Sequence, residues 1–167
     1  VTTAVDNFGR EFDVSWHPIG GQENNYGVVE NQSSSPLGAL NEILSNGIDA
    51  VLRRRYRERY SNEYDDSHNL TSYQQAAEDL LDGTEEVRLI ADGDRGGPVN
   101  VTIYDSGEGQ TYEDFEDTFV GLLKPGQAKQ GWPFLQGQFG MGSTAVLPHC
   151  GKRGYKAIFS AGMEDPN

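Results

Sequence analysis

Hydrophobic residues recur every three or four positions over residues 36–60, which is the spacing of one face of an α-helix. The apolar positions on this face are Leu40, Ile43, Leu44, Gly47, Ile48, Val51 and Leu52. Ser35 precedes them as a suitable N-cap, and Pro36 suits the first helical position, where no amide donor is needed. The pattern therefore predicts a long amphipathic helix over residues 36–60.

Three polar residues, Glu42, Asn46 and Asp49, lie within about 60° of one another on the opposite side of this predicted helix. On an isolated amphipathic helix such residues simply face water. A ligand site is the alternative interpretation. Two glycine-rich motifs later in the chain favour this alternative.

The remaining pattern predicts a mixture of strands and helices. Alternating β-branched and aromatic residues predict strands around residues 12–15, 26–30, 87–91, 99–104 and 155–161. Helical spacing and capping residues predict helices over residues 71–82 and 111–119. An acidic loop over 61–69 and a glycine-rich turn over 92–98 separate these elements. The fold class expected from this order is α+β.

A glycine motif follows the strand predicted over residues 99–104. Asp105 stands where the strand ends, and Gly107 and Gly109 come directly after it. Glycine permits close approaches that side chains forbid, so a flat ligand has room beside the chain while the Asp105 carboxylate accepts a hydrogen bond from an exocyclic amine. Alone, however, Asp-x-Gly-x-Gly is more often only a turn.

The second glycine motif, Gly-Gln-Phe-Gly-Met-Gly, occupies residues 137–142. It leads into a helix-like segment over 143–147 that Pro148 is expected to end. Backbone amides at the start of a helix point outward at the positive end of its dipole, which suits a phosphate group. The motif is neither a Walker A loop nor a Rossmann fingerprint, because no Gly-Lys-Ser/Thr follows and the glycine spacing differs.

The three motifs, in this order, resemble the N, G1 and G2 boxes of the GHKL ATPase superfamily, which includes gyrase B, Hsp90, the histidine kinases and MutL. Glu-x-x-x-Asn-x-x-Asp-Ala stands at residues 42–50 without departure, and residues 137–142 look most like the Hsp90 version of their box. The resemblance implies the Bergerat ATP-binding fold. In this two-layer α+β sandwich, helices cover one face of a mixed, mostly antiparallel sheet.

The resemblance also implies roles for individual residues. Glu42 would activate the water that attacks ATP, Asn46 would coordinate Mg²⁺, and Asp105 would bind the adenine amino group. The other motif positions with an implied nucleotide-binding role are Asp49, Ala50, Gly107, Gly109, Gly137, Gln138, Phe139, Gly140, Met141, Gly142 and Ser143. Residues 121–136 are expected to be a lid over the nucleotide. Lys124 within this segment is a candidate phosphate contact, although an exposed loop lysine is the simpler interpretation.

Slow, Mg²⁺-dependent ATP hydrolysis is therefore the expected activity. It needs an oriented water and neutralised charge around the γ-phosphate, which a carboxylate, a metal ion and a cradle of amides supply. The resemblance implies that ATP closes the lid and drives dimerisation or rearrangement of a partner. Phosphotransfer of the histidine-kinase type is one alternative, which Glu42 disfavours. A nucleotide-binding switch that hydrolyses nothing is the other.

Charge changes the expected partners. The chain has 167 residues and a formal net charge of −13. Non-specific binding of nucleic acid requires clustered cations, so this charge argues against it. ATP or ADP, protein partners or further domains, and an ATP-dependent homodimer are expected instead. One basic cluster, residues 53–59, is interpreted as complementing the helix dipole and pairing with nearby acids, with a partner contact as the alternative. The arginines of the cluster are Arg53, Arg54, Arg55, Arg57 and Arg59, and the nearby acids are Glu58, Glu63, Asp65 and Asp66.

Cellular location and domain boundaries follow from the remaining features. A single cysteine excludes an internal disulfide, and no apolar run approaches the ~20 residues of a membrane helix. With no leader recognised, a cytoplasmic location is expected. The chain starts without methionine, and no strand with the adenine-supporting threonine of the family is recognisable near its end. Residues 1–167 are therefore expected to be the ATP-binding domain of a longer protein, with residues 1–34 as an N-terminal extension.

Overall fold

The computed structural model of the chain describes residues 2–5, 10–14, 35–61, 63–111, 114, 118, 131–136, 144, 146–150 and 156–163. The predicted strand at 26–30, Lys124 and the motif residues 137–143 lie outside these ranges. The predicted helix at 111–119 and the predicted lid at 121–136 are described only in part. The described elements are mixed α+β, as predicted.

Helix α1 runs from Pro36 to Arg59 and confirms the longest prediction. The Ser35 hydroxyl caps it by accepting a hydrogen bond from the Gly38 amide at 3.0 Å. In its second half, α1 is buried on two sides rather than one. Gly47 and Val51 are buried on one side, and Asp49, Arg53 and Tyr56 are buried on the other. This second buried side continues the polar face predicted from the sequence.

The described strands form two separate antiparallel pairs. Strand β1, Thr2–Val5, pairs with β2, Glu11–Val14. Strand β3, Val87–Gly93, pairs with β4, Val99–Asp105, in a register that sets Val87 opposite Asp105. The strands predicted at 12–15, 87–91 and 99–104 are confirmed within one or two residues, whereas β1 is absent from the sequence prediction. The β3–β4 hairpin packs against α1 through its Val87–Asp105 end.

Helix α2 runs from Tyr73 to Leu80, inside the range predicted as 71–82. It begins later because the Ser72 hydroxyl takes the cap position and accepts from the Gln75 amide at 3.3 Å. It ends earlier because Leu81 is extended. Before it, the acidic loop contains a single 3₁₀ turn, Asp66–His68. Within the described ranges, no helix is long and apolar enough to cross a membrane.

The core lies where α1, α2 and residues 131–136 meet. Its buried members are Leu52, Tyr56, Leu70, Ala76, Leu80, Phe134 and Leu135. Phe134 is 1% exposed and Leu135 is 6% exposed. The end of the segment predicted as a lid is therefore packed into the core of the domain.

Two predictions near the end of the chain are wrong. Residues 156–161 do not form a strand, because the segment crosses the loop after β4 instead of joining a ladder. The Met163 amide donates to the Glu108 carbonyl at 3.0 Å, and the Gln110 amide donates to the Ser160 hydroxyl at 2.9 Å. Pro148, expected to end a helix, lies inside the 3₁₀ turn Leu147–His149, since a proline in a first turn needs no amide acceptor.

Candidate functional site

The three polar residues of α1 lie in different environments. Glu42 is exposed, Asn46 is half-buried and Asp49 is 1% exposed. The Asp49 Oδ1 atom accepts a hydrogen bond from the Gln136 amide at 3.0 Å. The interpretation in which all three simply face water is therefore wrong for Asp49, which holds residues 131–136 against the helix.

The loop after β4 lies directly on α1. A Cβ built on Gly47 would stand 3.3 Å from the Asp105 Cβ and 3.5 Å from its Oδ2 atom. Gly107 is closer still, since its added Cβ would stand 2.5 Å from the Ala50 Cβ. The Glu108 amide also donates to the Ala50 carbonyl at 3.2 Å. The structure thus brings the end of the first motif against the Asp-x-Gly-x-Gly motif.

Hydrogen bonds fix this loop to both the hairpin and the helix. Asp105 Oδ1 accepts from the Gly107 amide at 3.0 Å, which closes a tight turn. The Ser106 amide donates to the Glu86 carbonyl at 2.8 Å, and the Ser106 hydroxyl accepts from the Glu86 amide at 2.9 Å. From the helix, Arg54 Nη1 donates to the Ser106 carbonyl at 2.9 Å. The position of Asp105 is therefore set by neighbours on three sides.

Gly109 meets a different neighbour. Its φ is +67°, and an added Cβ would stand 1.7 Å from the Ala161 carbonyl oxygen. Both the backbone conformation and the lack of space require glycine at this position. The second glycine of the motif therefore lets residues 160–163 pass over the loop.

A buried cluster of charges lies beneath the loop, around a residue the sequence analysis did not single out. Glu108, between the two motif glycines, is 5% exposed, and its Oε1 atom lies 2.6 Å from Arg53 Nη1. Arg57 Nη1 lies 3.3 Å from Glu108 Oε2. Burial lowers the pKa of the Arg53 guanidinium, and the Glu108 carboxylate acts in the opposite direction. The Arg53 guanidinium also lies over the Trp132 ring, 5.5 Å from its centroid.

The other arginines of residues 53–59 form ion pairs with acidic side chains, as the structural interpretation of the cluster predicts. The pairs are Arg54 with Glu58, Arg55 with Glu58, Asp82 and Glu85, and Arg59 with Asp79. Glu58 is one of the partners expected from the sequence. The other acids come from residues 79–85, which are distant in the chain. Among the described residues, the expected partners Glu63, Asp65 and Asp66 form no ion pair with these arginines, so that part of the prediction is wrong.

Aromatic residues complete the anchoring of residues 131–136. Tyr56 from α1 is fully buried, and its ring centroid lies 4.9 Å from that of Trp132 and 5.9 Å from that of Phe134. The Tyr56 hydroxyl accepts from the Asp65 amide at 2.8 Å and lies 2.6 Å from His68 Nδ1. The sequence signal for this cluster is the aromatic content of residues 56–64, since Tyr60 and Tyr64 come after the end of α1 and still pack on Tyr56.

The resemblance implies a magnesium ion at Asn46, held together with a nucleotide. Mg²⁺ binds few protein oxygens and completes its shell with phosphate oxygens and water. The half-buried Asn46 supplies an amide oxygen of this kind. Among the described residues, no group of three or more His, Cys, Asp or Glu side chains is arranged to hold a metal ion.

Comparisons of the chain with protein-family models, with curated proteins and with solved structures find no match. The functional assignment therefore depends on the motifs and on the contacts between them. Of the predicted site residues, those on α1 and in the loop after β4 are described, and Ala50 and Gly107 contact each other.

Proposed function

We propose that the chain is a GHKL-type ATPase domain with the Bergerat fold, which binds ATP with Mg²⁺ and hydrolyses it slowly. The observation that carries this proposal is the packing of Asp105 and Gly107 on Gly47 and Ala50 of α1. Two motifs from distant parts of the sequence form one surface, with a carboxylate at its edge and no side chain at Gly107. A carboxylate held on the helix in this way can accept a hydrogen bond from the exocyclic amine of a base.

The adenine end of the site would be built on Asp105. One of its oxygens, Oδ1, already accepts from the Gly107 amide, so the carboxylate is held in place before a ligand arrives. The other oxygen, Oδ2, lies against Gly47, where a Cβ would stand only 3.5 Å from it, so glycine at this position lets the carboxylate approach the helix. Preorganisation of this kind lowers the entropy lost on binding.

The phosphate end would be built on the first half of α1 and on residues 137–143. Glu42 is exposed, so its carboxylate is accessible to a water that it would orient and deprotonate for attack on the γ-phosphate. Asn46 would hold Mg²⁺, which when bound neutralises phosphate charge. The amides of Gly137, Gly140 and Gly142 would bind the phosphates, and Lys124 would contact them from the lid.

A route from the nucleotide to the rest of the protein is part of the proposal. Residues 131–136, which end the proposed lid, are fixed to α1 by the Gln136–Asp49 hydrogen bond and by Phe134. Closure of the lid would therefore act on the same helix that carries Glu42 and Asn46. In this way ATP would drive dimerisation or the rearrangement of a protein partner.

Calorimetric titration of the chain with ADP and with a non-hydrolysable ATP analogue tests the site. We expect micromolar binding that requires Mg²⁺. Asp105→Asn should abolish it, because the amide presents a donor to the adenine amine, whereas Asp92→Asn, at an exposed hairpin position, should bind like the parent. Absence of binding by a folded parent chain, checked by circular dichroism, would overturn the proposal.

Release of phosphate from ATP tests the hydrolytic role of Glu42. We expect Glu42→Ala to bind ATP like the parent and to lose turnover, since only the activation of water is removed. Glu63→Ala, an exposed glutamate after α1, is the matched control and should keep both. Equal turnover by Glu42→Ala and the parent would refute this role. Binding without turnover by the parent would identify a nucleotide-dependent switch instead.

A further inference from the structure

The residue between the two glycines of the Asp-x-Gly-x-Gly motif faces the protein and not solvent. Glu108 is 5% exposed, as is Arg53, which it contacts at 2.6 Å. Within the described ranges, the Nε atoms of Arg53 and Arg57 have no hydrogen-bond acceptor. Glu108 is the carboxylate that pairs with both guanidinium groups, and Asp49 is a second compensating charge near Arg53. Removal of the Glu108 charge therefore leaves both guanidinium groups less well compensated.

The backbone of Glu108 lies at the centre of the loop contacts. Its amide donates to the Ala50 carbonyl, and its carbonyl accepts from the Met163 amide. Its side chain extends towards Arg53 and Arg57 on α1. An ion pair at this position therefore fixes the rotation of the loop about α1, and with it the positions of Asp105 and Gly107.

Arg53 connects this loop to a second segment. Its guanidinium pairs with Glu108 and also lies over Trp132, with 5.5 Å between Cζ and the ring centroid. Trp132 begins the anchored segment that ends at Gln136, whose amide donates to Asp49 one helical turn before Arg53. A single side chain thus contacts both segments that flank the proposed nucleotide site.

We propose that Glu108 is a positioning residue: with Arg53 it couples the loop 105–109 to the segment 131–136, so that one segment is ordered only when the other is. On the proposed function, this coupling sets nucleotide affinity, because it fixes the position of Asp105, which would bind adenine. Arg57 supports the same carboxylate from its half-exposed position. No covalent step depends on Glu108.

Hydrogen exchange of the intact chain, followed by mass spectrometry, tests the coupling without any ligand. The variants are Glu108→Gln, which keeps the shape and removes the charge, and Arg53→Met. The matched controls are Glu78→Gln and Arg59→Met, which remove a charge at an exposed position of α2 and of α1. Peptides covering residues 105–111 and residues 131–136 are the two reporters.

We expect Glu108→Gln to accelerate exchange about tenfold or more in both reporters, because Arg53 joins Glu108 to Trp132. Arg53→Met should do the same, and the controls should exchange like the parent. Unchanged exchange at 131–136 in Glu108→Gln would overturn the coupling. A double variant, Arg53→Met with Glu108→Leu, replaces the buried pair by apolar groups. It keeps the coupling testable if the single variants do not fold. It should melt closer to the parent than the single variants do, because only the half-exposed Arg57 then loses its partner, and it should still exchange faster in both reporters. Parent-like exchange in the double variant would overturn the role of the ion pair.

Titration with ADP separates this proposal from the proposed function. If the parent binds ADP, Glu108→Gln and Arg53→Met should bind about tenfold or more weakly, and the controls should bind normally. If the parent binds no ADP, the proposed function fails, and the exchange measurement alone still decides whether the two segments are coupled. Normal ADP affinity in a Glu108→Gln chain would overturn the positioning role.

Discussion

Gly107 lies so close to Ala50 that no side chain fits at position 107: a Cβ on Gly107 would stand 2.5 Å from the Ala50 Cβ and 2.8 Å from the Ala50 carbonyl carbon. Gly107→Ala should therefore push the loop off α1 and lower the free energy of unfolding by about 1–3 kcal/mol. Urea unfolding followed by fluorescence measures this change. Gly97→Ala is the matched control, since its nearest contact would be an ordinary 3.5 Å from Asp94. Equal stability of the two variants would contradict the packing of the loop on α1.

Gly109 and Gly83 separate the effect of backbone conformation from that of a neighbour. Both have positive φ, +67° and +87°, but Gly83 has open space around it, whereas Gly109 touches Ala161. Gly83→Ala should cost about 1–2 kcal/mol from its left-handed backbone alone. Gly109→Ala should cost clearly more in the same unfolding experiment. If both variants lost the same free energy of unfolding, the contact between the loop and residues 160–163 would contribute nothing to stability.

Asp49 should matter as a hydrogen-bond acceptor. Asp49→Ala leaves the Gln136 amide without this acceptor and should lower the free energy of unfolding by about 1–3 kcal/mol. Asp49→Asn retains a carbonyl oxygen in the same place and should lose less. Thermal unfolding of both variants, with the exposed Asp94→Ala as control, checks the order. A larger loss in Asp49→Asn than in Asp49→Ala would contradict a role as acceptor.

The Arg55 ion pairs should give stability that disappears in acid. Burial alone would raise the pKa of the Glu85 carboxyl, but backbone amides and the Arg55 guanidinium together hold it below its ordinary value of 4.5. A carboxyl with a lowered folded pKa stabilises the protein above its unfolded pKa, and this stability is lost as pH falls through the folded pKa. Arg55→Met should therefore melt lower than the parent at pH 7, and the difference should shrink below pH 4.5.

Melting temperatures measured from pH 7 to pH 3 test this dependence. The control is Arg88→Met, whose partner Glu86 and own side chain are both largely exposed, so that water and salt screen the pair. Its difference from the parent should be small at every pH. A constant difference between Arg55→Met and the parent would assign the effect to packing.

Local patterns were sufficient to predict α1 and the β3–β4 hairpin. Ser35 and Pro36 mark the start of α1, and a cap depends only on the adjacent turn, so the prediction needed no tertiary information. The alternation before Asp105 likewise depends on the strand itself. The family resemblance assigned Ala50 and Gly107 to one nucleotide site, but it did not predict that the two residues contact each other directly.

The buried charges were not predictable in this way. Five arginines near a helix C-terminus complement its dipole whether or not any is buried, so the pattern is the same for Arg53 and for the exposed Arg59. What buries Arg53 is Trp132, which arrives from a distant segment. The strand expected at 156–161 is wrong for a related reason. The alternation of residue types around Phe159 is typical of a strand, but a strand also needs the edge of another strand to pair with.

The hydrogen bonds that α1 makes across the domain also bear on how the chain folds. The bond from Arg54 to Ser106 spans 52 residues, and the bond from Gln136 to Asp49 spans 87. Long loops must close before such bonds form, so contacts of this kind slow folding, whereas a helix and a hairpin form locally and early. We expect α1 and the hairpin to form first and their mutual docking to be a late step. A nucleotide that binds only the docked state would then shift the equilibrium between undocked and docked chains towards the docked state.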